Sequence, residues 1–260
     1  MTARDVSAVV VSFGHRASLP TALTSLRRIG PGLREVVVVD NAGDLGDGLA
    51  PRCSPVSPSV LVPGSNLGYA AAANLAVGTT HGELLLFLSP DAEIVDWSPE
   101  QVDESLGPTV GAVGAFTTDS LDRPAMSWGE FPGSSRVLRR LSGARERFDR
   151  RVLKAAASGH AATVPWVVGA AILVLRRTFD RVGRYDPYYA VAGEDQDFGR
   201  RLELHGLRSV VSSSWRVRHE PRAAETLLPV IRRNELRFLE QYGSRVDRLL
   251  WTLVHGTRSR

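Results

Sequence analysis

Val6 to Ser12, VSAVVVS, is a continuous β-branched run, the pattern of a strand buried on both faces of a parallel sheet. Leu19, Leu23 and Leu26 then space an amphipathic helix that ends near Gly30-Pro31-Gly32. Glu35 to Val39 predicts a second buried strand, Leu61-Val62 a short third and Leu84 to Leu88 a fourth, with an Ala-rich helix over Gly68 to Val77. Strands alternating with helices at this spacing form βαβ units around a parallel sheet. Further on, an apolar run from Val164 contains Gly169 and turns at Arg176-Arg177 into a short helix-like piece, TFDRVG. A late strand is expected over Ser209 to Ser213, with Trp215 to His219 closing the sheet and a terminal helix over Glu225 to Tyr242.

In such sheets ligands bind outside the carboxyl ends of the strands. Ser12, Asp40, Asn66 and Asp91 all fall at those ends, and together they weigh more than any one of them. A turn of the Asx type accounts for Asp40-Asn41 without any ligand, and a loop with a helix N-cap does the same for Asn66 and Gly68. The second concentration of chemistry is the stretch from Val164 to Leu202. There Glu194-Asp195-Gln196-Asp197 stands directly before a helical pattern. Helix N-termini favour acids, so Asp197 alone is explained by capping. An apolar strand with a glycine and an aromatic loop leading into the acids suggest instead the floor, wall and base of one site.

A chain of 260 residues, 43% of them hydrophobic, buries a full core. No run approaches the ~18 apolar residues that span a bilayer. MTARDVSAVVVSFG enters a strand without a signal-peptide pattern, so a soluble cytoplasmic chain is the expectation. The single Cys53 excludes an internal disulfide, and no Cys and His stand at metal spacing. The formal charge is +4 and Lys154 is the only lysine. That arginine bias reads as codon usage, and no nucleic-acid partner is expected from it. Arg136 to Lys154 is a basic helical stretch with Val137, Leu141, Ala144, Phe148 and Val152 on one stripe. It reads either as an interfacial helix meeting anionic lipid or as a surface helix packed on its own domain.

The motifs VVVSFGH (9–15), VVVDNAG (37–43), NLGYAAAAN (66–74), LLLFLSPDAEI (84–94), VVGAAILVLRR (167–177), VGRYDPYYAVAGEDQDF (182–198) and Arg218-His219 occur in this order. In that order they resemble inverting family 2 glycosyltransferases of GT-A fold, and among these the bacterial rhamnosyltransferase-like members. The resemblance implies an α/β fold with a Rossmann-like, mostly parallel sheet flanked by helices and a C-terminal acceptor-side half. It implies one domain over 1–260, with a nucleotide-sugar half (1–115), a variable insert with the basic helix (116–162) and an acceptor half with the C-terminal helix (163–260).

Residue by residue, the resemblance implies a nucleotide-sugar site of Ser12, Phe13, Asp40, Asn66, Gly68, Asn74 and Asp91. Phe13, where many members carry Tyr, keeps a stacking surface without the hydroxyl. Asp91, Glu93 and His219 are the implied ligands of a divalent cation, Mg²⁺ or Mn²⁺, which neutralises the departing diphosphate. Ser89 stands where the family has Asn or Asp. Asp195 is the implied catalytic base, with Glu194 and Asp197 raising its proton affinity. Trp166, Gly169, Tyr185 and Asp186 are the implied acceptor contacts.

The function expected is inverting transfer of a sugar from dTDP-rhamnose or a UDP-sugar to a glycan or lipid-linked acceptor in cell-surface polysaccharide synthesis. Peripheral contact with the inner face of the cell membrane accompanies that acceptor. Two rivals stand beside it. A sugar nucleotidyltransferase shares the sheet logic, but Ser12-Phe13-Gly14-His15-Arg16 lacks the Gly-rich loop and reactive Lys that such an enzyme needs. A catalytically silent nucleotide-binding or scaffold relative is favoured by Ser89 and Phe13 and opposed by the intact acidic segment.

Overall fold

The computed structural model describes residues 4–46, 55–220 and 227–255, so Cys53 lies outside the described residues. Its first half contains strands β1 (Val6–Ser12), β2 (Leu33–Asp40), β3 (Ser59–Leu61), β4 (Leu84–Leu88), β5 (Ala92–Trp97) and β6 (Val110–Thr118). Helices α1 (Leu19–Ser25), α2 (Tyr69–Val77) and α3 (Pro99–Ser105) lie between them. Two short strands, β7 (Pro124–Ala125) and β8 (Trp128–Gly129), precede α4 (Ser134–Leu141) and α5 (Ala144–Ala157). Then come β9 (Ala162–Val164), β10 (Trp166–Val167), β11 (Ala171–Leu175), α6 (Arg176–Arg181) and α7 (Glu194–Leu204). The chain continues as β12 (Arg208–His219), α8 (Leu228–Tyr242) and α9 (Arg245–His255).

The main sheet runs β3-β2-β1-β4-β11-β6-β12-β5. Its first four strands are mutually parallel, and β11 enters antiparallel between β4 and β6. The parallel order reverses between β1 and β4, which opens a crevice at their carboxyl ends. The uniformly apolar β1 serves two cores. Ala8 and Val10 pack with Leu19 and Leu23 of α1 on one face, while Val9 and Val11 meet the alanines of α2 on the other. Alanine is the required size there, because α2 lies close against β1 and Phe87.

Several expectations change. Trp215 to His219 and Ser209 to Ser213 are one long strand, β12, with a register shift between Ser212 and Arg216. β6 runs across the 115/116 boundary expected between segments. Its Gly111 and Gly114 blur the strand pattern, yet they make room for the side chains of Leu202 and Val167. The basic stretch is two helices, broken at Gly143 with φ 64°. Val152 is buried and Phe148 packs on the core, so α5 is anchored to its own domain. Among the described residues no helix is long and apolar enough to cross a membrane.

Helix α7 is fixed by one residue of the acidic segment. Asp197 is fully buried and accepts hydrogen bonds from Arg201 Nε at 2.8 Å and from Tyr242 Oη of α8 at 2.8 Å. It is therefore a structural hub and not a simple helix cap. Breaking a buried, hydrogen-bonded ion pair costs about 3–5 kcal/mol, so Asp197→Asn should lower the melting temperature substantially. Thermal unfolding of the variant measures this, and an unchanged midpoint would remove Asp197 from the framework.

Candidate active site

Three groups of side chains face the crevice. The first surrounds the ends of β1 and β2. Ser12 is buried and its hydroxyl has no protein partner, while Phe13 is 54% exposed at the strand exit. Asp40 accepts hydrogen bonds from Asp44 N at 3.2 Å and Leu45 N at 2.9 Å, so its carboxylate holds the following loop. The residue that joins this group is Asn41. Its amide donates to Asn66 Oδ1 at 2.8 Å and accepts from Leu67 N at 2.9 Å. The nearby Gly68 has φ 75° at the start of α2, and a Cβ there would stand 2.7 Å from Ala190. Only glycine combines that backbone with that approach.

The second group lies at the end of β4. Asp91 Oδ1 accepts from Ser89 Oγ at 2.5 Å and lies 3.3 Å from His219 Nε2. Partial burial opposes the negative charge of Asp91. Hydrogen bonds from His219 and Ser89, with the imidazoles of His219 and His15 nearby, outweigh it and hold the carboxyl well below the usual range. Ser89 therefore supports Asp91 and does not substitute for a ligand. Glu93 departs from expectation. Cross-strand pairing of β5 with β12 sets it against Arg218, 3.0 Å away. Among the described residues no three His, Cys, Asp or Glu side chains are grouped to hold an ion. Of the three expected ligands, Asp91 and His219 stand together and Glu93 does not join them.

The third group is the acidic segment. Gly193, with φ 100°, starts α7 and leaves Glu194 and Asp195 on its first turn. Gly169 N donates to Asp195 Oδ2 at 2.9 Å, and Gln196 N to its Oδ1 at 2.8 Å. Glu194 is buried, and its Oε2 has no partner. Removal from bulk water pushes the Asp195 carboxyl up to about 6, against four backbone hydrogen bonds that favour its charge. Glu194 is raised well above its ordinary range by burial and then by the charge of Asp195. Asp195 has N–H donors at Gly169 and Gln196, whereas Glu194 has only its own backbone N–H, so of the two Glu194 keeps the proton and Asp195 the charge. Asp197 points the other way and plays no part in raising Asp195.

Backbone pairing ties the second and third groups together. The antiparallel β4–β11 ladder pairs Leu88 with Ala171, Ser89 N then donates to Ala170 O at 2.8 Å, and the next residue, Gly169, holds Asp195. Beside Asp195 opens a cleft of about 220 Å³ lined by Trp166, Arg136, Asn234 and Glu235. A larger cleft of about 710 Å³ lies at Arg4, Glu83 and Arg176, away from all three groups, and Arg4 and Arg176 there are occupied by protein partners.

Of the expected acceptor contacts, Trp166 lines the cleft and Gly169 donates to Asp195. Tyr185 is a core residue, its ring packed edge-on against Phe87, Phe179 and Phe198. Asp186 accepts from Tyr188 N at 2.9 Å and shapes its own turn. Asn74 is turned from the nucleotide crevice toward the acceptor loop, with its amide bonded to both Tyr185 O (2.7 Å) and Tyr185 N (3.2 Å). Sequence reasoning passed over Asn41 as a hinge of the crevice, although its place after a buried strand was visible. Arg136, Asn234 and Glu235 had no local signal, since only tertiary packing brings α4 and α8 to the cleft.

A model of the family described as Glycosyl transferase family 2 matches residues 7–164. The chain is 31% identical over 164 residues to the O-antigen biosynthesis protein RfbC of Myxococcus xanthus, covering 60% of this chain but only 12% of that protein. It is 27% identical over 233 residues to the N-acetylglucosaminyl-diphospho-decaprenol L-rhamnosyltransferase of Mycobacterium tuberculosis, covering 81% of this chain and 74% of that protein. Among solved structures, GalNAc-T7 with UDP, GalNAc and Mn²⁺ superposes with a TM-score of 0.68 at 15% identity, over 92% of this chain and 48% of the other. The mannosyltransferase PcManGT of Pyrobaculum calidifontis, with GDP-Man and Mn²⁺, gives 0.61 at 17% identity, over 94% and 66%. The expected GT-A architecture is the architecture found.

Gly169 supplies a test of the site that leaves the fold alone. A Cβ built on it would lie 3.4 Å from Glu194 Oε1 and 3.6 Å from Asp195 Oδ2, ordinary contacts that fill the space before both carboxylates. Gly169→Ala should therefore keep its melting temperature while losing turnover by about tenfold or more, because displacing a reacting group by ~1 Å costs up to ~100-fold. Normal turnover in this variant would move the reacting hydroxyl elsewhere.

Proposed function

The chain belongs to glycosyl transferase family 2, and on that footing we propose that it transfers a sugar, with inversion, from a nucleoside-diphosphate donor to a glycan or lipid-linked acceptor in cell-surface polysaccharide synthesis. The observation that carries the reading is the Asp195 carboxylate, held by Gly169 N–H at the foot of a cleft and joined through β11 and β4 to the Asp91 corner. The rhamnosyltransferase relative favours a dTDP-rhamnose donor, with a UDP-sugar as the alternative. Such a donor and a lipid-linked acceptor meet at the inner face of the cell membrane. The silent-scaffold reading keeps only Ser89 and Phe13, and Ser89 serves Asp91; the nucleotidyltransferase reading gains nothing from the structure.

The donor's nucleoside would lie across Ser12, Phe13 and the Asn41–Asn66 pair, with Phe13 as a stacking surface. Asp91 and His219 would hold a divalent ion, one offering a hard anionic oxygen and the other an imidazole nitrogen. When bound, that ion neutralises charge developing on the leaving diphosphate. The acceptor enters beside Trp166. Its hydroxyl oxygen attacks the anomeric carbon from the face opposite the diphosphate, and Asp195 takes the hydroxyl proton as the bond forms. The donors at Gly169 and Gln196 hold the carboxylate in place, and Glu194, keeping its proton, spares the site a second negative charge.

Asp195 is raised yet ionises at about 6, so the reactive form accumulates as pH rises through that value. The ratio kcat/KM should climb with pH to a plateau above it. Asp195→Asn should bind donor normally, turn over ~10²–10⁴-fold more slowly and lose this ascending limb. An unchanged pH profile in the variant would exclude Asp195 as the base.

The Asp91 corner makes a separate prediction. Calorimetric titration of nucleoside diphosphate should show affinity falling on chelation in the wild type and already low, and indifferent to chelator, in Asp91→Asn. Equal affinities throughout would assign Asp91 to structure and separate it from the diphosphate.

A further inference from the structure

Helices α4 and α9 are amphipathic in the wrong sense for a soluble domain. On α4, Arg136 turns inward to a half-hidden ion pair with Glu235 at 2.6 Å, while Leu138 and Leu141 stand 65% and 81% exposed. On α9, Asp247 turns inward to Ser134 N and Oγ, both at 2.7 Å, and Trp251 Nε1 reaches Glu235 at 3.2 Å. The opposite face of α9 leaves Leu249 and Leu253 61% and 71% exposed. Polar groups thus join the two helices to each other and to α8, and the leucines face solvent. Single exposed leucines need no explanation, but clustered ones on adjoining helices mark an interaction surface.

Charge decides the occupant. Arg140 stands next to Leu141 on α4 and Arg245 opens α9, both exposed, while Arg139 pairs with Glu130 at 3.5 Å. Leucines rimmed by arginines match an anionic bilayer, with apolar side chains in the acyl boundary and guanidinium groups among the headgroups. The surface also adjoins the cleft. Arg136, on the same helix as the exposed leucines, lines it beside Asp195, and so does Glu235, the partner of Trp251. We propose that α4 and α9 together form a docking surface for an anionic membrane, which sets the acceptor cleft against the lipid headgroups. This rests on the sugar-transfer reading for its purpose, though not for its test. It also moves the contact from the continuous basic helix expected over Arg136 to Lys154 to a pair of helices, one of which has no basic run.

The test is co-sedimentation of the full chain with vesicles of phosphatidylglycerol and phosphatidylcholine, beside vesicles of phosphatidylcholine alone. The wild type should pellet with the anionic vesicles at low salt and be partly released by high salt. The triple variant L138E/L249E/L253E should pellet about tenfold less, and L138A/L249A/L253A, whose substitutions touch only exposed positions, should show the same direction. Nucleoside diphosphate titration should be unchanged in both variants. Wild-type protein that stays in the supernatant overturns the proposal, as do variants that pellet like the wild type. A wild-type dimer that the variants convert to monomer overturns it too, because the surface would then join two copies. Leucine-dependent pelleting by a chain that binds no nucleotide would support the surface and count against the sugar-transfer reading alone.

Discussion

The hydrogen bond from Gly169 N to Asp195 is the junction on which the candidate site depends. It begins where the β4–β11 ladder ends, so the position of one carboxylate is set by a run of backbone pairs through the buried centre of the sheet. The same ladder carries Ser89, which holds Asp91. A rigid sheet therefore fixes the distance between the two acidic centres, and neither relies on a long side chain or a free loop. Pre-organisation of this kind is what a reaction between two bound sugars requires, since misplacement by a fraction of a bond length weakens attack.

The acceptor side is built by close approach. Gly199 of α7 and Gly129 of β8 both lie where a Cβ would collide with Trp166, so the indole is clamped between two elements that lack side chains at that point. The loop between α6 and α7 is tied back to α2 by Asn74 on Tyr185 and by Tyr69 N on Ala190 O at 2.5 Å. Asn234 of α8 donates to Val191 O and Ala192 O just ahead of Gly193. These bonds use backbone groups that a loop would otherwise leave to solvent, and they carry the order of the sheet into the first turn of α7.

Much of this was legible in the sequence, and the failures have physical causes. Uniform β-branched runs announced β1 and β2 because a strand buried on both faces has no polar positions to confuse the pattern. β6 was obscured by Gly111 and Gly114, whose value lies in what they admit and not in strand propensity. Asp195, Asp91 and His219 were singled out because motif order placed them at element ends. Glu93 was misread because the pairing of β5 with β12 sets it opposite Arg218, a tertiary contact that the motif does not show. Tyr185 was misread because an aromatic residue beside a glycine strand looks alike in a shelf and in a core. α9 lacks any signature as an outward-facing helix, since its apolar periodicity is that of a buried one.

Helical phase divides the labour within Glu194-Asp195-Gln196-Asp197. Successive residues turn by ~100°, so side chains two apart point to nearly opposite sides. Asp195 therefore faces Gly169 and the cleft, whereas Asp197 faces the interior, where Arg201 and Tyr242 satisfy it. Glu194 meets Asp195 before Gly169, buried and with one oxygen unpartnered. Its neutrality follows from that placement, and the neutrality in turn lets Asp195 carry a charge at close quarters. Asp197, on the far side of the helix, is kept out of that contact. With the three acids placed in this way, one anchors α7, one is held neutral and one stays charged at the cleft, so the acidic density of the segment is a consequence of packing as much as of chemistry.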